Sequence, residues 1–292
     1  MNKCRFLLLL LPVIAGSSVI VSCYTLFNDV YITSPVDGEY TTDSTVSIEI
    51  YTSGEIAGLE VSFNGVLLGG STSYTVDVER NSANTVSVDG YDEIGNLVDY
   101  DSVTFYHDTL DPSLSVNMSS DGRTLTFSGA VTDNFVVEEL TYEHHTYASI
   151  DGTIIPFSNS SWQLVLEEMP YSDEEQTMYF TAVDAAGNST TVAYPYTLTD
   201  TTAPLLSINS PIGWQTYDGG GITLSATASD DYELGALWYS LDGDPLVEIS
   251  PSAPGTFNTS VTVTAAGTHE IDFVVADSFF NLAQASVTFY IN

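Results

Sequence analysis

Apolar and polar residues alternate with a period of two along most of the chain. Val46, Ile48 and Ile50 are separated by Ser47 and Glu49, and Tyr74, Val76 and Val78 by Thr75 and Asp77. Ile271, Phe273 and Val275 follow the same rule, as do Val287, Phe289 and Ile291. Successive side chains of a strand point to opposite faces, so each run predicts a strand with one face in a core and one in water. Asn64-Gly65, Asp121-Gly122, Asp151-Gly152 and Asp242-Gly243 punctuate the runs. They predict two-residue hairpins, because both central residues of a type I′ turn need positive φ. Short strands with frequent turns read as a sandwich or barrel. One stretch, Leu164 to Met169, reads as helical, and it is too short to change the class.

The pattern also repeats over a long period. Tyr91-Asp92-Glu93-Ile94-Gly95-Asn96 returns as Val183-Asp184-Ala185-Ala186-Gly187-Asn188, and more weakly as Ala276-Asp277-Ser278-Phe279-Phe280-Asn281. The three Asp are 92 and 93 residues apart, and Asp111-Pro112 returns after 92 residues as Ala203-Pro204. Ile32-Thr33-Ser34-Pro35 is echoed by Ile208-Asn209-Ser210-Pro211. The Asp motif and the Pro markers share one period, and with the Ser-Pro echo they predict an all-β chain of three tandem domains, at 31–107, 108–200 and 201–292. In the late motif the Asp side chain can accept backbone N–H groups across the turn, while Gly and Asn tolerate the left-handed conformation. Asp92, Gly95 and Asn96, then Asp184, Gly187 and Asn188, then Asp277 and Asn281 are therefore expected to close the last hairpin of each domain. Phe280 stands where the other two copies have Gly, so the third turn is expected to differ in shape.

Three features now coincide: a Pro-led first strand, a middle hairpin at Tyr239 to Gly243 (Tyr-Ser-Leu-Asp-Gly), and the late Asp-x-x-Gly-Asn turn. Together they resemble the bacterial Ig-like (Big-type) repeats of surface proteins, over nearly all of 30–292. Phe63-Asn64-Gly65 stands at the equivalent hairpin of the first repeat. The resemblance implies immunoglobulin-like antiparallel β-sandwiches that serve as adhesin stalks, spacers or binding modules. It speaks to location and role rather than to a particular ligand.

The N-terminus carries an address. Lys3 and Arg5 form a positive region, Phe6 to Ile14 an apolar one interrupted by Pro12, and Ile20-Val21-Ser22-Cys23 follows. A membrane span needs about 20 apolar residues, so this reads as a signal peptide, 1–22, rather than a helix that stays in the bilayer. The tetrapeptide resembles a bacterial lipobox, which implies lipidation of Cys23 and a short tether over 23–30. Cysteine usage agrees: Cys4 and Cys23 are the two in the chain, so the processed protein has no internal disulfide. The last alternating run ends at Ile291, which leaves the N-terminal lipid as the expected anchor.

The chain is strongly acidic. The chain has 39 Asp and Glu against 4 Lys and Arg, for a formal net charge of −35. Lys3 and Arg5 lie within 1–22, which contains no acid, so the remainder carries −37. Such a surface repels nucleic acid and anionic lipid headgroups, suits a cation-rich exterior, and attracts divalent cations. Arg80 and Arg123 are the trypsin sites that remain after residue 22. Digesting the unfolded, processed chain is therefore expected to give three fragments, which mass spectrometry would count.

Catalytic patterns are absent from the sequence. There is no Walker loop and no His-Glu-x-x-His, and Cys23 is the one thiol outside the signal peptide. The four His are His107, His144, His145 and His269. Adjacent His144 and His145 would face opposite sides of a strand, a poor metal pair, and they are expected to be exposed. Two readings stand for the acids near the repeat junctions, Asp108, Asp111 and Asp133 at the first and Asp200, Asp230 and Asp231 at the second. They are turn formers, or they are ligands for Ca²⁺, which takes six to eight oxygens; no cofactor is required, and Ca²⁺ is the one the sequence suggests. Trp162, Trp214 and Trp238 could stack on a sugar, but they occupy non-equivalent positions in their repeats. The expected protein is an exported lipoprotein of a bacterial envelope, at the outer membrane or cell surface, structural or adhesive, with a protein or glycan ligand and no nucleic-acid partner. The alternative is a polysaccharide- or small-ligand-binding module.

Overall fold

The computed structural model describes residues 29–147, 150–153 and 160–292. Cys23 and the signal peptide lie outside the described residues. Within the described residues every regular element is a strand, apart from 3₁₀ conformation at Ile150, and no helix is long and apolar enough to cross a membrane. The architecture is tandem immunoglobulin-like antiparallel sandwiches with three separate apolar cores. The chain divides into two compact units, Met1–Leu110 with one core and Asp111–Asn292 with two.

In the first unit, strands Asp29–Ser34, Thr45–Ser53 and Ser73–Asp77 form one sheet. The second sheet runs in the order Tyr40–Thr41, Leu97–His107, Ser82–Tyr91, Gly58–Phe63, Val66–Gly69. The alternation read in the sequence puts Ile48 and Ile50 of the first sheet against Val61, Val86, Val88 and Phe105 of the second. After Ser34 the chain changes sheets, and Tyr40 pairs in parallel with Tyr106. The third sandwich repeats this crossing after Ser210, where Thr216 pairs in parallel with Tyr290. The shared Ser-Pro echo thus marks one topological step, and both Ser-Pro bonds are cis.

The second sandwich packs Asn117–Asp121, Thr124–Thr132 and Ser161–Leu166 against Gly152–Thr153, Val137–His144, Ser172–Asp184 and Ser189–Leu198. Its core centres on Phe127, Leu140, Trp162, Met178 and Phe180. In the third, Ile222, Leu224 and Ala226 face Leu237, Ile271, Phe273, Val275 and Phe289. Burying one such aliphatic or aromatic side chain contributes about 1.5–3 kcal/mol, so the period-two pattern is the main determinant of register as well as of fold.

Some local expectations fail for identifiable reasons. Leu164–Leu166 belong to strand Ser161–Leu166, paired with Leu125 to Phe127, so neighbouring strands override the helical reading of Leu164 to Met169. Asn64-Gly65 and Asp242-Gly243 do have positive φ at both residues. At the third site Asp121 pairs with Thr124, which makes Gly122 and Arg123 the central residues, and Gly122 alone has positive φ. That is a turn with Gly in its first central position. Asp151-Gly152 is no tight turn: Gly152 is in a strand, and the Asp151 carboxylate instead accepts the His144 N–H at 2.9 Å.

Candidate functional site

The late Asp motif forms the same closure three times. The chain leaves strand Ser82–Tyr91, Ser172–Asp184 or Gly267–Asp277 and returns as the paired last strand. Asp92 Oδ1 accepts the N–H groups of Ile94 and Asn96, and its Oδ2 accepts the Asn96 side-chain amide. That side-chain bond is the largest cause holding the Asp92 carboxyl below its ordinary range. Asp184 makes the equivalent bonds to Ala186 and Asn188, and Asp277 to Phe279 and Asn281. Gly95 and Gly187 occupy the left-handed position with φ of 87° and 89°.

Phe280 keeps this turn, contrary to the expectation of a different shape. It adopts φ 65°, and Asp277 N still bonds the Asn281 carbonyl at 3.2 Å. The carboxylate and Asn281 bonds outweigh the steric cost of a left-handed side chain, which is about 1–2 kcal/mol. Phe280 is 84% exposed, so little packing is lost if it is removed. Phe280→Gly is expected to stabilise the third sandwich by about 0.5–1 kcal/mol, after allowing for glycine's greater freedom when unfolded. Urea denaturation would measure this, and a loss of stability would contradict it.

Of the junction acids, Asp108 belongs to the first unit, where it is buried and its Oδ1 accepts the Leu110 N–H at 3.0 Å. Asp111 is exposed, and half-buried Asp133 accepts the Phe135 N–H at 2.9 Å. Asp200, Asp230 and Asp231 come together inside the second unit: one carboxylate oxygen from each lies within 4.8 Å of the other two. Asp200 Oδ1 accepts the Thr202 N–H at 2.9 Å, and Asp230 Oδ1 accepts the Tyr232 N–H at 3.0 Å. Asp231 Oδ2 is 3.5 Å from the Thr202 hydroxyl.

A packed aromatic contact lies beside this cluster, and it has no signature in the sequence. Tyr171 of the second sandwich meets Tyr232 and Phe279 of the third, with ring centroids 5.1 and 5.8 Å away. The Arg123 guanidinium sits 5.4 Å from the Tyr232 ring and pairs with Glu168 at 2.9 Å. Asn281 of the third turn donates to the Asp200 carbonyl at 3.1 Å. The second and third sandwiches are thus joined by rings, a cation and a turn amide.

Residues 204–272 match the family model of the bacterial Ig domain. The third sandwich is of the bacterial Ig domain type. The chain is 29% identical over 184 residues to halomucin of Haloquadratum walsbyi (strain DSM 16790 / HBSQ001), a stretch that is 58% of this chain and 2% of that protein. It spans a small fraction of that relative's length. Among solved structures, a tetra-tandem repeat from the extending region of a large adhesion protein is 19% identical, with 91% of this chain and 74% of that one covered and a TM-score of 0.46. An I-band fragment of titin is 9% identical, with 91% and 98% covered and a TM-score of 0.45.

The histidines differ sharply between the second sandwich and the bacterial Ig domain. His144 is buried, against the expectation of exposure, while His145, just past the end of strand Val137–His144, is exposed as expected. His144 Nδ1 accepts the N–H groups of Thr146 and Tyr147, so the neutral ring carries its proton on Nε2, 2.8 Å from the Tyr196 hydroxyl. Burial lowers the His144 pKa and pushes Tyr196 up to about 12. In the bacterial Ig domain His269 faces two acceptors, Asp242 Oδ2 at 2.7 Å and the Ala265 carbonyl at 2.9 Å, which suits the imidazolium. The Asp242 bond is the largest cause raising its pKa. The His269 contribution is full below the unfolded value of about 6.5 and is lost as pH rises through the folded pKa. The His144 contribution is full above about 6.5 and is lost as pH falls toward the folded pKa. An NMR titration is expected to show His269 titrating above His144, and the reverse order would contradict both assignments.

The tryptophans do not share a face. Trp162 is buried against Phe180, Trp238 is half-buried, and Trp214 is exposed, 6.1 Å from the Tyr290 ring. Two open depressions of ≈ 460 Å³ each exist, one lined in part by Tyr142, Tyr147 and Asp151, the other by Asp230, Tyr232 and Phe257.

Proposed function

We propose that the chain is a lipid-anchored extracytoplasmic surface protein, structural or adhesive, whose immunoglobulin-like sandwiches act as spacer and contact modules and carry no catalysis. The observation that carries this reading is the repetition itself. Each sandwich has its own apolar core, and the Asp motif shared by the repeats goes into closing a hairpin. The bacterial Ig domain match, the segment shared with halomucin and the −35 charge agree with an exterior location. Cys23, the last residue of its lipobox-like tetrapeptide, supplies the anchor, and the membrane is the first partner.

The test is fractionation of cells that export the full chain. The parent is expected in the membrane fraction and Cys23→Ser in the soluble extracytoplasmic fraction; a variant retained on membranes would rule out the lipid anchor. A second reading, polysaccharide binding, draws on the exposed Trp214 beside Tyr290. A glycan array comparing the parent with Trp214→Ala separates the two, since a spacer gives no Trp214-dependent signal.

A further inference from the structure

The second unit contains a carboxylate cluster with an internal imbalance. Asp200 is 2% exposed, and its Oδ2 is buried without a hydrogen-bond partner. The Oδ2 of Asp230 is buried without a partner as well. Buried carboxylate oxygens are normally hydrogen-bonded or paired, because leaving the charge unmatched costs several kcal/mol. The sequence offers little to match it: Arg123 is the one Lys or Arg in 111–292, and it pairs with Glu168.

We propose that Asp200, Asp230 and Asp231 bind one Ca²⁺ ion. Three carboxylates without an ammonium or guanidinium among them form a hard, all-oxygen donor set, and calcium accepts such sets with loose geometry. Oxygens on opposite sides of one Ca²⁺ are about 4.6–5.2 Å apart, so the separations here, within 4.8 Å, let all three reach one ion. Mg²⁺ holds its ligands closer and keeps more of its water, so it suits this spread of oxygens less well. The ion ties the segment after strand Ser189–Leu198 to the loop after strand Gly220–Ser229, beside the contact of Tyr171 with Tyr232 and Phe279. It therefore fixes the place where the second sandwich hands over to the third. The inference concerns binding in solution and stands apart from where the chain is anchored.

The experiment is calorimetric titration of the detergent-solubilised full chain with CaCl₂, with thermal melts in EDTA and in CaCl₂ alongside. The parent is expected to bind with a dissociation constant in the about 10⁻⁴–10⁻³ M range of extracellular calcium modules, and to melt higher in CaCl₂. Asp230→Asn is expected to bind one fewer ion, or to bind it at least about tenfold more weakly. Asp231→Asn, an exposed position outside the core, is expected to weaken binding in the same direction and covers the case in which Asp230→Asn fails to fold. A parent with no calcium-dependent heat and no change in melting overturns the proposal. So do two folded variants that bind with the parent's stoichiometry and affinity.

Discussion

Phe180→Ala is expected to lower the stability of the second sandwich by about 3–5 kcal/mol. Phe180 is fully buried, and its ring lies 5.2 Å from Phe127 and 5.1 Å from Trp162. It sits mid-strand, paired with Tyr142 on one side and Val192 on the other, so the sheet cannot move to fill the space. The substitution loses both the burial of a large ring and the contacts of the cavity lining. Domains of this size are stable by about 5–15 kcal/mol, so the loss removes a large part of the total. Urea denaturation followed by tryptophan fluorescence would report it through Trp162. A loss under about 1 kcal/mol would mean that the assigned register or core is wrong.

Asp277→Ala is expected to cost the third sandwich about 3 kcal/mol, and more than the same change at Asp92. Asp277 is 2% exposed and accepts three hydrogen bonds, from the Phe279 and Asn281 N–H groups and the Asn281 side chain. Alanine leaves those donors without their acceptor and frees Phe280 from the closure that holds it left-handed. Asn281 also donates to the Asp200 carbonyl, so the damage reaches the contact between the second and third sandwiches. Asp92 makes the same bonds in a wetter setting, where water replaces the lost acceptor. Matched urea melts of the two variants test the order. Equal losses at both sites would show that burial is not what gives the motif its strength.

The β class and the repeat were legible in the sequence because both rest on local rules. Ile48 and Ile50 are buried where their alternation places them, and the Asp-x-x-Gly-Asn bonds span four residues. The misreadings arose where non-local contacts decide. Leu164 became a strand residue through its pairing with Phe127, and His144 was buried by packing against Tyr196. Asp151 gave up a turn to cap the His144 N–H. The rings of Tyr171, Tyr232 and Phe279 are far apart in sequence and follow no period, so nothing local announces their contact. Asp200, Asp230 and Asp231 could be named from composition at a repeat boundary, but the partnerless oxygens of Asp200 and Asp230 exist only in three dimensions.

On the proposed function these sandwiches stand on the outer side of a cell envelope. Antibody labelling of intact, unpermeabilised cells that express the full chain tests it most directly. Antibodies against the third sandwich are expected to stain intact cells, and brief proteinase treatment of those cells is expected to remove the signal. Staining that appears only after permeabilisation, with the chain recovered in the cytosolic fraction, would contradict it.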